Sequence, residues 1–380
     1  MSYFHGGVRL PSPFEDLPDP LPLPSSVSCQ APSFDGEPVT PFGLRVGKTL
    51  AEVPSEKLLS EIRRAKITEA DGKLLADHME QALLRSQAGK LRAVVVSLLE
   101  PDPASLSMSS LGADFADAIA GGLSILLKLL SVREGTILCE KGYPRTLRAL
   151  NAACRESRLI AIEPMENRYP ISHPKLLTRW IASKELPFDE IPEAAGVCIV
   201  DAESCISLHQ YFLRGEVRRF VRTTLYENGE GRIYDLPLGL PVQALCEAGL
   251  FEAAEAGADG AVHLQRGVMN AAPAPAVVDR SLAVLTPADP NKRPLRDCVR
   301  CGECAAVCPM YLRPYRYLPE SSLIARLSGA PRDAMCCIGC GCCSYVCPVE
   351  LPVSAFAAAA REKAMQKRLE REQADGGKLL

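Results

Sequence analysis

Cys298-Val-Arg-Cys301-Gly-Glu-Cys304-Ala-Ala-Val-Cys308-Pro309 and Cys337-Ile-Gly-Cys340-Gly-Cys-Cys343-Ser-Tyr-Val-Cys347-Pro348 are two copies of one pattern, C-x2-C-x2-C-x3-C-P. Three thiols spaced two residues apart line a loop that can wrap one face of an iron–sulfur cubane. The fourth cysteine opens a short helix after the loop, and the proline marks the turn. Runs of this spacing hold [4Fe–4S] clusters, and in two-cluster ferredoxins the fourth cysteine of each run ligates the other cluster. The spacing therefore predicts one cluster on Cys298, Cys301, Cys304 and Cys347, and a second on Cys337, Cys340, Cys343 and Cys308. Gly302, Gly339 and Gly341 let the backbone come close to sulfur. Structural zinc uses paired C-x2-C knuckles and needs no third cysteine, no C-P step and no duplicate. Cys336 and Cys342 are surplus to the pattern and read as small residues packed beside the clusters. Two clusters in one interleaved fold sit close together, which argues for an electron relay.

Ahead of this cysteine module (298–350), residues 271–297 carry prolines 273, 275, 287, 290 and 294 and read as a linker. After it, residues 351–380 read as a polar helix and tail. Residues 216–270 read as a small α+β module: strands over 217–224, 232–236 and 260–264, with one short helix over 241–249. Residues 55–215 alternate buried strands with amphipathic helices. The run AVVVSL at 93–98 is a buried strand by its β-branched content, followed by a helix over 114–130. Strands over 136–139, 159–162 and 196–201 then alternate with helices over 144–154, 174–183 and 203–213. A βαβα order implies a parallel sheet covered by helices. Residues 1–54 are proline-rich, run extended over the surface, and hold two short strands at 42–53.

Composition bounds the rest. The chain has 380 residues, a formal net charge of −3 and a pI near 6.1, with no basic stripe to bind nucleic acid. Ten of its sixteen cysteines fall between Cys298 and Cys347. The N-terminus lacks the apolar core of a signal peptide, and no apolar stretch is long enough to span a bilayer. The expectation is the reducing cytoplasm, with membrane attachment through partner subunits at the cytoplasmic face of the inner membrane.

Arg300-Cys-Gly-Glu-Cys-Ala-Ala-Val-Cys-Pro-Met310 and Cys340-Gly-Cys-Cys-Ser-Tyr-Val-Cys-Pro348 resemble RnfC, the C subunit of the Rnf ion-translocating ferredoxin:NAD oxidoreductase. His5-Gly-Gly-Val-Arg-Leu-Pro11, Pro237-Leu-Gly-Leu-Pro241 and Gly267-Val-Met269 resemble other stretches of that family, the last two belonging to a small β-grasp-like, SLBB-type module. The resemblance implies an α/β fold with a Rossmann-like parallel-sheet domain, that module, and a helical two-[4Fe–4S] ferredoxin domain. It implies FMN and NADH in the middle domain, held by a glycine-rich loop and by an acidic segment with a Glu-Pro pair. Where that loop belongs, this chain has Ile67-Thr-Glu-Ala-Asp-Gly72 and a helical run to Lys90, with Gly72 and Gly89 the only glycines. A phosphate cradle needs several open backbone N–H groups. The expectation is therefore loss of flavin and nicotinamide binding. The acidic segment shrinks to Leu98-Leu-Glu100-Pro101-Asp102, whose carboxylates read as solvated loop groups or as ligand contacts.

The function expected is an oxidoreductase subunit that relays single electrons between a redox partner and a larger complex. Partners would be other subunits of such a complex or a soluble flavoprotein or ferredoxin. The alternatives are an FMN-containing NADH dehydrogenase subunit and a non-catalytic docking scaffold. Gly43-Leu-Arg-Val-Gly47-Lys48-Thr49 is one residue short of a nucleotide loop and reads as a β-turn. Gly121-Gly122 reads as close helix packing, His173 as a solvated or capping residue, and Cys198 and Cys246 as core. His5, His78, His209 and His263 have no ligand spacing and receive no role, and no catalytic residue set appears.

Overall fold

A computed structural model describes residues 17–24, 27, 53–251, 263–269, 272–288, 297–318 and 332–376. The readings for residues 28–52, for 260–262 and for His5 lie outside the described residues.

Two helices open the middle domain, α1 (Ser55–Ala65) and α2 (Leu75–Gln87), followed by strand β1 (Ala93–Ser97). Then come α3 (Ser107–Asp114), α4 (Ala116–Leu130), β2 (Gly135–Glu140), α5 (Pro144–Ala153), β3 (Ile160–Met165), α6 (Pro174–Ala182), β4 (Val197–Asp201) and α7 (Ala202–Arg214). The four strands form an all-parallel sheet in the order β3-β2-β1-β4. Such sheets are covered on both faces. Val94 and Val96 face Leu58, Met79, Leu123 and Ile206 on one side, while Val95, Leu138 and Val197 meet Leu176 and Leu177 of α6 on the other. Helices α4 and α7 touch backbone to backbone: a Cβ on Gly122 would lie far inside van der Waals contact of the Cys205 carbonyl.

The helix expected over 114–130 is α4, and the unexpected α3 runs directly before it. The chain breaks at Phe115 (φ −125°, ψ 26°), whose ring receives the guanidinium groups of Arg218 and Arg222 at 4.6 and 5.4 Å. Arg222 also pairs with Asp114 and Asp235, and Arg218 with Glu203 and Asp235, tying the middle domain to the next module.

That module is a mixed five-stranded sheet of β5 (Phe220–Glu227), β6 (Glu230–Pro237), β7 (Leu264–Arg266), β8 (Ala272–Pro273) and β9 (Val284–Pro287), in the order β6-β5-β9-β7-β8. The short helix α8 (Gln243–Glu247) packs on it through Leu245. The stretch expected to be a linker supplies β8 and β9, together with the buried Val278, Leu282 and Leu285. The proline-rich N-terminal segment joins here: the Leu21 N–H donates to the Ile233 carbonyl at 2.8 Å, and Leu17 is buried.

Among the described residues the cysteine module is built from α9 (Glu303–Ala306), α10 (Cys342–Tyr345), two 3-10 turns and the long helix α11 (Val353–Gly376). Val353, Ala357 and Ala360 press α11 onto Tyr317, Ala334 and Leu318. Among the described residues no helix is long and apolar enough to cross a membrane.

Candidate iron–sulfur centres

Nine of the ten cysteines of the C-terminal module line two cavities. One, of about 390 Å³, is lined by Cys308, Cys337, Cys340, Cys342 and Cys343 with Met310, Tyr317 and Ile338. The other, of about 350 Å³, is lined by Cys298, Cys301, Cys304 and Cys347 with Tyr315, Leu318 and Val353. Each cavity thus brings together three cysteines of one run and the last cysteine of the other.

Local backbone geometry places them. Gly302 (φ +87°) and Gly341 (φ +79°) immediately precede α9 and α10 in the left-handed region that favours glycine. Each one-turn helix then carries the third cysteine of its run inward, Cys304 on α9 and Cys343 on α10. Backbone N–H groups point at the sulfurs: Tyr315 at Cys304, Met310 and Leu312 at Cys308, Gly339 at Cys337, and Leu351 at Cys347 at 3.4 Å. Such bonds favour negative charge on sulfur. A ring of four thiols around an otherwise apolar cavity, with N–H donors behind the sulfurs, fits a [4Fe–4S] cubane.

The two cavities differ in their surroundings. The Cys340 side faces the middle domain. The Tyr169 hydroxyl donates to the Cys340 carbonyl at 2.6 Å, and fully buried Cys342 packs against Tyr169 and Met269. Met310 and Ile338 join the apolar cluster of Leu176 and Leu177. Cys342 hydrogen-bonds Cys340 and holds its thiol down at about 7, below the usual thiol value. The Cys301 side faces outward: Cys301 itself is exposed. Cys342 does pack beside a cluster cavity, as read from the sequence, whereas Tyr169 was not singled out, since its contact with Cys340 links residues 171 positions apart.

The expected cofactor cleft is arranged differently. Residues 66–74 form a tight hairpin with a bridge between Thr68 and Leu74. Four N–H groups are consumed internally: Glu69 donates to Lys73, Gly72 to Glu69, Leu75 to Ile67, and Lys73 to the Asp71 carboxylate. With these four amides committed, two carboxylates at the turn and a single glycine, this segment does not fit a phosphate cradle.

Glu100 and Asp102 are buried rather than solvated. The Glu100 carboxylate accepts the N–H groups of Met108 and Ser109 and the Ser105 hydroxyl, so it caps α3 from outside the helix. Burial pushes its pKa up to about 7, with the Glu140 charge adding to the rise. Asp102 accepts from Ala104 and, across the domain boundary, from Val268 and Met269. His173 caps α6 by accepting the Lys175 N–H, and burial pushes its pKa down to about 4.

Comparison with known proteins agrees with this layout. Residues 62–210 match the family model for the Nuo51 FMN-binding domain, and residues 297–351 match that for a 4Fe-4S dicluster domain. The chain is 27% identical over 241 residues to the C subunit of the ion-translocating oxidoreductase complex of Pseudomonas aeruginosa, covering 60% of this chain and 30% of that protein. It is 22% identical over 307 residues to the C subunit of the proton-translocating ferredoxin:NAD(+) oxidoreductase complex of Clostridium ljungdahlii, covering 77% and 65%. It is 23% identical over 280 residues to the Na(+)-translocating counterpart of Acetobacterium woodii, covering 73% and 62%. The chain therefore spans from under a third to about two thirds of these relatives' lengths. A chain of an NAD+-reducing [NiFe]-hydrogenase has the same fold, with a TM-score of 0.53 at 12% identity over 86% of this chain and 63% of that one. An α/β domain that matches the Nuo51 type is thus followed by one that matches a 4Fe-4S dicluster, and the chain as a whole is similar to the C subunits of ion-translocating oxidoreductase complexes.

Proposed function

We propose that this chain is the iron–sulfur electron-transfer subunit of an Rnf-type complex. Cys298, Cys301, Cys304 and Cys347 would ligate one [4Fe–4S] cluster, and Cys337, Cys340, Cys343 and Cys308 the other. The observation that carries this reading is the pair of cavities, each ringed by four of these cysteines. When bound, the clusters supply one-electron redox chemistry. The chain's own residues hold them, exclude water from the Cys340 side, and aim N–H donors at the sulfurs, which stabilises the reduced, more negative state. The Cys340 site, packed on Tyr169 and Met269, is the inner station, and the Cys301 site is the outer one that a partner can approach. Partners would be the other subunits of such a complex, and the chain would sit at the membrane through them, on the cytoplasmic side.

The test is iron, sulfide and flavin counted per chain on one anaerobically purified sample. The expected result is about eight irons, two four-iron clusters, and no flavin. Cys301→Ala should then lose about half the iron while the α/β part stays folded; unchanged iron would sink the ligand assignment. The second reading is a flavin-bearing NADH dehydrogenase subunit, and the match of residues 62–210 to an FMN-binding domain favours it. One FMN per chain would select that reading and require a phosphate site elsewhere than the 66–74 hairpin.

A further inference from the structure

A third cluster of metal-binding side chains lies away from the cysteine module, at the opening edge of the parallel sheet. His78 on α2 is the centre. Its Nδ1 faces both oxygens of Glu69, at 2.8 and 3.0 Å. Its Nε2 faces Glu193 Oε1 at 2.7 Å and Cys198 Sγ at 3.7 Å. The donor atoms of His78, Glu193 and Cys198 all lie within 4.8 Å of one another. Glu193 is the second residue of the 3-10 turn Pro192–Ala195 and Cys198 is the second residue of β4; both are buried. Glu69 comes from the hairpin that stands where a glycine-rich loop was sought.

The arrangement makes a specific demand. Glu69 accepts from Nδ1 and fixes the ring, so that Nε2 faces a buried carboxylate and a thiol with a proton or a metal ion between them. Two acceptors 2.7 Å apart repel unless a cation lies between them. A proton can serve only one of the two contacts to Nε2, whereas a divalent ion serves both. The wider field is also negative: buried Asp201 and Cys205 feel the Glu69 charge, and Asp201 is committed to capping α7.

We propose that His78 Nε2, Glu193 and Cys198 form a zinc site, with Glu69 as the carboxylate that orients the histidine. A histidine, a carboxylate and a thiolate are the donor types Zn2+ takes, and a carboxylate on the far ring nitrogen is the usual support for a zinc-bound histidine. The charge balances. Zn2+ enters, the Nε2 proton and the Cys198 thiol proton leave, and the net charge of the cluster is unchanged. Ordinary zinc bond lengths in a tetrahedron put N and S roughly 3.6 Å apart and N and O roughly 3.4 Å apart. The Nε2–Sγ separation of 3.7 Å already suits this. The Nε2–Oε1 pair must open by roughly 0.7 Å, a movement that a Glu193 rotamer shift on a one-turn helix allows. The fourth position is left to water, on the side where the His78 ring is 20% exposed. The ion would clamp α2, the 3-10 turn and the start of β4 together, with the 66–74 hairpin held through Glu69.

The experiment is zinc content and zinc-edge X-ray absorption on the intact chain, purified anaerobically, given one equivalent of Zn2+ and desalted. About one zinc per chain is expected, with one sulfur and otherwise nitrogen and oxygen neighbours. Cys198→Ser and His78→Gln should each lower retained zinc at least tenfold, with iron per chain unchanged. Cys198→Ser is close to isosteric and serves if His78→Gln fails to fold, which far-UV circular dichroism reports. Failure to retain zinc, wild-type retention by both variants, or an all-sulfur shell would each overturn the proposal; the last would mean zinc on the cluster cysteines. Because iron is read on the same sample, failure here is distinct from failure of the cluster assignment.

Discussion

Glu100 shows how one side chain does two jobs in the interior. It replaces the missing first-turn partners of α3, and it does so while buried beside Glu140. Its folded pKa, raised to about 7, lies above its ordinary value of 4.5. A raised carboxylate pKa means that the folded state prefers the protonated form. That contribution is complete below about pH 4.5 and is lost as pH rises towards 7. Wild-type thermal stability should therefore fall between about pH 5 and 7.5, by a term on the order of 2 kcal/mol. Glu100→Gln should flatten that slope, as melting curves at stepped pH would read; a slope unaltered by the substitution would place its origin elsewhere. Gly122 gives a second expectation of opposite sign to propensity. An exposed helical Gly→Ala change gains about 1 kcal/mol. Here the new methyl meets the Cys205 backbone, which cannot swing aside. Gly122→Ala should lower the urea midpoint, at a cost of about 2 kcal/mol or more.

At the level of elements, β1 was legible because AVVV is a continuous β-branched run, the mark of a strand buried on both faces. Helix α4 was legible from its apolar face. Helix α3 was not: Ser107–Ser110 has no apolar period, and its cap arrives from Glu100, several residues upstream. Strands β8 and β9 hid in a proline-bearing stretch because they are two and four residues long and exist only by pairing with β7 and β5. His78 was unreadable as part of a set, since Glu193 and Cys198 stand 115 and 120 positions away. The hook between the middle domain and the mixed sheet is another such contact. Asp102 gathers the N–H groups of both Val268 and Met269, and Met269 packs on Cys342. Asp102→Ala should leave those amides without this acceptor, at about 1–3 kcal/mol. Hydrogen exchange should speed up over residues 263–269 while the α4 and α7 amides keep their protection. Uniform loss of protection would mean that Asp102 supports the whole domain instead of the hook.

For the whole molecule the question is whether the two cysteine runs make two independent sites or one interlocked unit. The cavities mix the runs: Cys308, from the first, stands with Cys337, Cys340 and Cys343, and Cys347, from the second, stands with Cys298, Cys301 and Cys304. Interlocking would make the module fold around both clusters together and hold them at a fixed separation. It would also set the inner site against Tyr169 and leave the outer one open at Cys301. Single substitutions cannot separate this from local ligation, because either scheme loses one cluster. Paired substitutions can, since changes within one site should not add while changes at separate sites should. If Cys308 serves the inner cluster, Cys308→Ser with Cys340→Ala removes the same cluster twice, and iron stays near half of wild type. Cys308→Ser with Cys301→Ala then removes both, and iron falls towards zero. Local ligation gives the reverse: the Cys301 pair keeps half the iron and the Cys340 pair keeps none. Iron per chain, with the electron paramagnetic resonance spectrum of the reduced protein, reads the outcome. Magnetic coupling between clusters should be present in wild type and absent from every variant that retains only one.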